Sequence, residues 1–101
     1  MSASTEPLSE AEVRARLQAH PAWHLAPDGW LERELTFQNF SRAVLFVNAI
    51  AYLAETLDHH PDLLLHDYKR LTIRLMTHSA GGITGRDFAL LAQIDALPRP
   101  D

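Results

Sequence analysis

Histidines are the side chains of this sequence best suited to chemistry. The 101-residue chain contains six of them, and His59 and His60 are adjacent and followed by Pro61. Because the residue before a proline avoids helical backbone, the two rings are expected to diverge from a fixed bend. If the later segment that carries His78 lies against this bend, three imidazoles would line one cleft.

Imidazole suits acid–base catalysis because it titrates near pH ~6.5 and can donate or accept a proton at neutral pH. Two such rings on opposite sides of a small molecule could act as its acid and its base, while a third orients it. The sequence contains no cysteine, no glycine-rich phosphate loop and no GxSxG motif, any of which would indicate a different chemistry. The residues therefore favour a histidine-based acid–base site.

Other interpretations of these residues stay open. Adjacent histidines at a helix C-terminus can simply interact with the negative end of the helix dipole. Imidazole also binds metals, but no HxxxH or HExxH spacing lies on a predicted helix, so we expect no metal site. Asp87, three residues after Thr84, has the spacing of a capping box, which explains its carboxylate without catalysis. We expect His20, His24 and His66 on the surface, in loops or at a strand edge.

Capping boxes, hydrophobic periodicity and turn residues divide the chain into seven elements. Helices are predicted over residues 9–19, 39–58 and 84–97, and strands over 22–26, 30–37, 63–66 and 70–77. Two hairpins joined by a long helix indicate an α+β fold in the order α-β-β-α-β-β-α, with a four-stranded antiparallel sheet and three helices on one face. Arg33 interrupts the apolar row of the second strand, so either it reaches out at a sheet edge or the predicted register is shifted.

Composition and charge indicate one compact domain over residues 8–101, preceded by a flexible tail over residues 1–7. The formal net charge of -4 argues against a general nucleic-acid binder, which would need a basic face. No apolar run approaches the ~20 residues that cross a bilayer, and the acidic N-terminal region does not resemble a secretory signal. We therefore expect a cytoplasmic protein without nucleic-acid or membrane partners.

The predicted long helix is apolar nearly all round. Between Ala43 and Leu57, twelve of fifteen residues are hydrophobic, whereas a helix that covers one sheet needs only one apolar stripe. The surplus face is expected to bury against another copy of the chain, giving a homodimer or homotetramer through helix 40–58. The alternative is that the small alanines of this helix are tolerated at the surface.

Two segments together resemble a known family. Residues 55–61 read Glu-Thr-Leu-Asp-His-His-Pro, residues 77–84 read Thr-His-Ser-Ala-Gly-Gly-Ile-Thr, and Asp87 follows. This combination is similar to the pterin-4a-carbinolamine dehydratases. The resemblance implies a lyase that dehydrates 4a-hydroxytetrahydrobiopterin to the quinonoid dihydropterin and so supports tetrahydrobiopterin recycling, with no metal or other cofactor. It also implies assembly through the long helix.

The resemblance assigns roles to individual residues. His59 and His78 match the acid and base histidines of the family, and His60 matches a histidine expected to hold the pterin. Pro61 would fix the bend, while Asp58 and Asp87 match acidic positions that could orient an imidazole.

Two departures from the family bear on the shape of the pocket. Many relatives carry an aromatic residue just after the His-His-Pro motif, where this chain has leucines at residues 63–65. The stretch from His60 to His78 is also one residue longer than usual, which suggests a longer turn or a bulge.

Two other function classes stay open beside the enzyme. One is a protein-binding or dimerisation module that acts as a transcriptional cofactor, in which the apolar long helix pairs with a foreign helix. The other is a nucleic-acid-binding surface on the face of the sheet that the helices do not cover. The negative net charge of the chain disfavours it.

Overall fold

A computed structural model describes residues 6–99 of the chain. Its elements are α1 (Glu10–Leu17), β1 (His24–Leu25), β2 (Leu31–Thr36), α2 (Phe40–Leu57), β3 (Asp62–His66), β4 (Arg70–Leu75) and α3 (Gly85–Asp95). A short 3-10 turn, His78–Ala80, lies between β4 and α3. The predicted order α-β-β-α-β-β-α is confirmed. Of the predicted tail, residues 1–5 lie outside the described part.

The four strands form one antiparallel sheet in the order β1-β2-β4-β3. Its central pair aligns Leu31 with Leu75 and Leu35 with Leu71. Because side chains alternate between the faces of a strand, these leucines and Ile73 share one face. All five are buried in the core. The opposite face, called the open face below, carries the polar residues of the same strands.

The three helices cover the apolar face of the sheet. Both capping boxes predicted from the sequence are present, one at Ser9 before α1 and one at Thr84 before α3. One core cluster joins the sheet to Val13 of α1, to Phe46 of α2, to Leu91 of α3 and to their buried neighbours. The predicted α+β fold, with a four-stranded antiparallel sheet and its helices on one face, is confirmed.

Arg33 lies on the apolar face of the sheet at the predicted register, opposite Ile73. Its guanidinium donates to the Asp95 carboxylate at 2.7 Å. The same carboxylate accepts from the Trp23 indole at 2.8 Å and lies 2.9 Å from a ring nitrogen of His20. Arg33 thus extends from a central strand to the last turn of α3. The apolar row is interrupted by an ion pair with Asp95, so neither predicted explanation, a sheet edge or a shifted register, is correct.

The β3–β4 ladder runs without a bulge from Asp62 opposite Arg74 to His66 opposite Arg70. Three residues, 67–69, connect the strands, and both Asp67 and Tyr68 have positive φ. The connection is therefore a tight turn.

Helix α2 buries only one stripe of its surface. By length and composition it is the one helix within residues 6–99 that could cross a membrane, with a mean hydropathy of 1.3 over 18 residues. Its buried residues pack into the core as in a core helix of a folded domain: Ala43, Phe46, Ile50 and Ala54. On the opposite side, Leu45 is 58% exposed and Tyr52 is 72% exposed.

Candidate active site

The end of α2 presents the two adjacent histidines. The helix terminates at Asp58, whose φ of 51° and ψ of 46° lie in the left-handed region. The next N–H, that of His59, donates back to the carbonyl of Ala54 at 3.0 Å. This is the backbone pattern of a Schellman motif, in which glycine usually holds the left-handed position. The reversal directs His59 towards the interior, whereas His60 is exposed.

His59 forms a buried pair with Asp87. Its Nε2 lies 2.6 Å from Asp87 Oδ1. The His59 residue is 7% exposed and Asp87 is 0% exposed. A carboxylate removed from water requires donors to compensate its lost hydration, and Asp87 has three. The second and third are the hydroxyl of Thr77 at 2.7 Å and the N–H of Thr84 at 2.9 Å, both to Oδ2.

These contacts are consistent with one assignment of hydrogen-bond donors and acceptors. The Thr77 hydroxyl gives its single proton to Asp87, so it accepts the proton of the Thr84 hydroxyl, 2.9 Å away. Oδ2 of Asp87 accepts from both threonines. If Oδ1 likewise accepts, His59 donates from Nε2, and Nδ1 is left as its acceptor. Nδ1 has no hydrogen-bonding partner within residues 6–99.

The same contacts bring together the two segments that the sequence singled out. Thr77 leaves the sheet after β4, bridges to Gly82 and is buried, with its side chain on Asp87. This explains why β4 ends at Leu75 and not at residue 77 as predicted. His78 follows Thr77 directly, so its backbone is anchored beside the His59–Asp87 pair. The structure thus places the His78 segment against the end of α2.

His78 begins the 3-10 turn and is exposed. Its ring contacts the indole of Trp30, with ring centroids 5.3 Å apart and an angle of 75° between the planes. Trp30 and His78 are brought together only by the pairing of β2 with β4. The sequence alone therefore indicated no role for Trp30.

His60 pairs with a carboxylate in the last turn of α2. Its Nε2 lies 2.6 Å from Glu55 Oε2, and both side chains are more than half exposed. An exposed pair of this kind contributes little to stability, so its main effect is to orient the ring. Glu55 belongs to the motif read from the sequence but was given no role there. A carboxylate in the last turn before a histidine pair is the signal that could have found it.

Asp58 acts here through its backbone. Its carbonyl accepts from the guanidinium of Arg86, a residue that sequence reasoning also missed. No hydrogen bond within residues 6–99 joins the Asp58 carboxylate to an imidazole, so the orienting role predicted for Asp58 stays a prediction. The predicted bend at Pro61 lies between the paired histidines and the start of β3.

A cleft of about 440 Å³ opens on the sheet beside Pro61. Its lining residues are Pro61, Asp62, Leu63, Leu64, Thr72 and Arg74. Of the leucines at residues 63–65, Leu63 packs against the core while Leu64 is 60% exposed. The cleft adjoins the histidine pair through Pro61, and Arg74 links it to Trp30 and His78.

The other three histidines make their contacts away from the His59–Asp87 pair. His20 contacts Asp95, His24 contacts Glu32 at 2.9 Å, and His66 lies on the edge strand β3 with Nε2 3.1 Å from the Thr72 hydroxyl. Within the described part of the chain, no group of three or more His, Asp or Glu residues is arranged to hold a metal ion.

The fold and the site define a class of protein. It is a small α+β domain in which a helix-terminal His-His-Pro motif is tied to the threonine-histidine segment after the last strand through one buried aspartate. A family model described as pterin 4 alpha carbinolamine dehydratase matches residues 6–97. The chain belongs to this family, which is a family of dehydratases and hence of hydro-lyases.

Related sequences and structures agree with this assignment. A protein of Solibacter usitatus is 45% identical over 93 residues, covering 92% of this chain and 96% of its own, and one of Chloroflexus aggregans is 44% identical over 90 residues, covering 89% and 95%. Both carry the provisional name pterin-4-alpha-carbinolamine dehydratase.

Two solved structures share the fold. A Brucella melitensis protein described as a transcriptional coactivator/pterin dehydratase superimposes with a TM-score of 0.84 at 33% identity, covering 90% of this chain and 97% of its own. A pterin dehydratase-like protein identified as a RuBisCO assembly factor has a TM-score of 0.61 at 22% identity, covering 74% and 87%. The second likeness concerns the fold alone.

Proposed function

We propose that this protein dehydrates 4a-hydroxytetrahydrobiopterin to the quinonoid dihydropterin by histidine acid–base catalysis, and thereby supports tetrahydrobiopterin recycling. The observation that carries the proposal is the buried His59–Asp87 pair, 2.6 Å between Nε2 and Oδ1, anchored through Thr77 to the segment of His78. Family membership supports the reaction type.

The reaction requires two proton movements. The C4a hydroxyl must receive a proton to leave as water, and the proton on N5 must depart as the N5 lone pair forms the new double bond to C4a. No electron is transferred to or from another molecule, so an acid, a base and a means of holding the pterin are sufficient. Each proton transfer by a placed side chain typically contributes about 10²–10⁴-fold to the rate.

His59 is suited to be the base. With Nε2–H directed at Asp87, its Nδ1 presents a lone pair that can accept the N5 proton. The buried carboxylate then stabilises the imidazolium that forms, as an aspartate does in a catalytic triad. His78, exposed and in contact with Trp30, is assigned as the acid that protonates the departing hydroxyl.

His60 and the two aspartates have supporting roles in this proposal. Glu55 orients the His60 ring, which holds the pterin together with Pro61 at the mouth of the cleft. Asp87 orients His59. Asp58 presents the histidines through its backbone conformation.

The direct test is a stopped-flow assay of dehydration with enzymatically generated 4a-hydroxytetrahydrobiopterin. We expect His59→Ala and His78→Ala each to lose about 10²-fold or more in kcat, and His60→Ala to raise KM. His20→Ala, whose ring contacts Asp95 at the last residue of α3, is the matched control and should retain the wild-type rate. Wild-type rates for both His59→Ala and His78→Ala would refute the catalytic assignment.

The proposal extends to partners and location. The exposed Leu45 and Tyr52 of α2 support a homodimer or homotetramer that forms through helix 40–58. We further propose that residues 8–101 act as one domain in the cytoplasm, with a small-molecule pterin as partner and neither nucleic acid nor membrane.

The same exposed face of α2 favours a second candidate function, that of a protein-binding module acting as a transcriptional cofactor. The description of the Brucella melitensis structure as a coactivator supports it. Co-purification of another protein at fixed stoichiometry, without dehydratase activity, would select this alternative.

A further inference from the structure

Trp30 occupies a position between the site and the open face of the sheet. It directly precedes β2, and the alternation of that strand turns its side chain to the same face as Glu32 and Arg74. The indole is partly buried. It meets His78 at a centroid distance of 5.3 Å and an angle of 75°, a T-shaped contact of the kind that aromatic rings favour.

Arg74 holds the indole from another side. Its guanidinium carbon lies 4.9 Å from the Trp30 ring centroid, within the range of a cation–π contact. One terminal nitrogen of Arg74 donates to both oxygens of Asp28 at 2.6 Å, and its Nε lies 3.1 Å from Glu32 Oε2. Two carboxylates from the β1–β2 hairpin therefore fix the guanidinium in place.

The three site histidines differ in how they are held. His59 is oriented by Asp87 and His60 by Glu55, each through a contact of 2.6 Å between Nε2 and a carboxylate oxygen. Within residues 6–99, no carboxylate pairs with the ring of His78, and its one ring contact is with Trp30. The orientation of the His78 ring thus depends on an aromatic side chain and not on a hydrogen bond.

We infer that Trp30, held by Arg74 and the carboxylates of Asp28 and Glu32, is the positioning residue for His78. This inference rests on the proposed function, in which His78 delivers a proton to the substrate. Proton transfer depends steeply on the distance and direction between donor and acceptor, and small misplacements cost large factors in rate. The indole limits rotation of a ring that is otherwise exposed.

The arrangement also leaves both nitrogens of His78 available. A carboxylate partner would occupy one nitrogen and favour the charged ring, whereas a T-shaped aromatic contact restrains the ring without taking up a hydrogen-bonding site. Such a contact suits His78, which in the proposed function must release its proton and regain it in each catalytic cycle.

The first measurement is independent of catalysis. In ¹H–¹³C spectra, the ring protons of His78 in the wild-type protein should show the ring-current shift of a neighbouring indole. Trp30→Ala should abolish this shift, Trp30→Phe should retain part of it, and Arg74→Gln should broaden or displace it. His78 resonances that are unchanged in Trp30→Ala would overturn the inference whatever the activity.

The second measurement is steady-state dehydration by the same variants. We expect Trp30→Ala to lower kcat about 10-fold while KM stays within about twofold, and we expect Trp30→Phe to recover most of the loss. Arg74→Gln should fall between them. Arg16→Gln, which removes a cation–aromatic contact with Phe88 elsewhere, is the matched control and should leave kcat unchanged.

The outcomes separate this inference from the function it rests on. If His78→Ala loses activity while Trp30→Ala keeps the wild-type kcat, the positioning role is overturned and the proposed function stands. A rise in KM alone in Trp30→Ala also overturns it, because the indole would then contact the substrate. If His78→Ala keeps the wild-type kcat, the acid role of His78 and this inference both fail, and the proposed function fails as well when His59→Ala also keeps it.

Discussion

His59 Nε2 and Asp87 Oδ1 lie 2.6 Å apart although the two residues are 28 positions apart in the chain. Both are buried, and the carboxylate also accepts from Thr77 and Thr84. One aspartate thereby joins the end of α2, the segment after β4 and the beginning of α3. The contact that orients a proposed catalytic ring is also a contact that holds three parts of the fold together.

Replacing Asp87 should therefore reduce both stability and activity. In Asp87→Asn the side-chain amide offers one acceptor oxygen to three donors, which we expect to cost about 1–3 kcal/mol of unfolding free energy. His59 loses its ionised partner, so kcat should fall about 10²-fold or more. Urea denaturation and the stopped-flow dehydration assay measure the two effects.

Asp95 provides a matched control for this substitution. It is also a carboxylate with three side-chain partners, namely His20, Trp23 and Arg33, but it lies at the opposite end of α3. Asp95→Asn should lower stability without a comparable loss of kcat. An equal loss of kcat in both variants would mean that Asp87 affects activity only through the fold.

Substitutions at Asp58 should separate its backbone role from its charge. Left-handed backbone is strained for most residues but not for glycine, so Asp58→Gly should keep or raise stability, and Asp58→Ala should lower it by about 1 kcal/mol. Asp58→Asn tolerates the conformation and removes the charge. Thermal melts together with kcat measure both effects, and an unchanged kcat in Asp58→Asn would exclude an orienting role for the carboxylate.

The Asp28–Arg74 pair predicts a pH dependence in the acid range. The hydrogen bond from Arg74 holds the pKa of the Asp28 carboxyl below its ordinary value of 3.8. Since the folded state favours the ionised form, the stability from this pair is fully present above that value and is lost as pH falls through the lowered pKa. NMR titration of Asp28 should show this displacement, and Arg74→Gln should return the titration to the ordinary range.

The exposed side of α2 predicts the effect of a surface charge on assembly. Tyr52 is 72% exposed, and a carboxylate there would have to be desolvated in an interface between copies of the helix. Tyr52→Glu should therefore dissociate the homo-oligomer, as measured by light scattering after gel filtration. Ala11→Glu, exposed on α1, should leave the molar mass unchanged, and an unchanged mass for Tyr52→Glu would exclude this part of α2 as the interface.

Much of the fold could be predicted from the sequence because its signals are local. The two capping boxes indicated the starts of α1 and α3, and the alternation of apolar residues indicated which face of β2 and of β4 is buried. The pairing of His59 with Asp87 was less accessible, since the capping box alone already explained that carboxylate. Asp87 can cap α3 and orient His59 at the same time, because Oδ2 accepts from the Thr84 N–H while Oδ1 contacts the imidazole.

The contacts of Arg86 and Trp30 could not be derived in the same way. Each depends on where a side chain contacts another element after folding, and no spacing along the chain records this. Arg33 is a different case. The sequence showed that it interrupts an apolar row, but only the structure showed its partner, Asp95, which is 62 residues away in the chain.

Asp87 both caps α3 and contacts His59, and this has a consequence for the loss of activity on heating. The carboxylate is buried and is bonded to three segments, so it can leave His59 only when those segments separate. On warming, catalytic power should therefore disappear together with the cooperative melting of the domain and not before it.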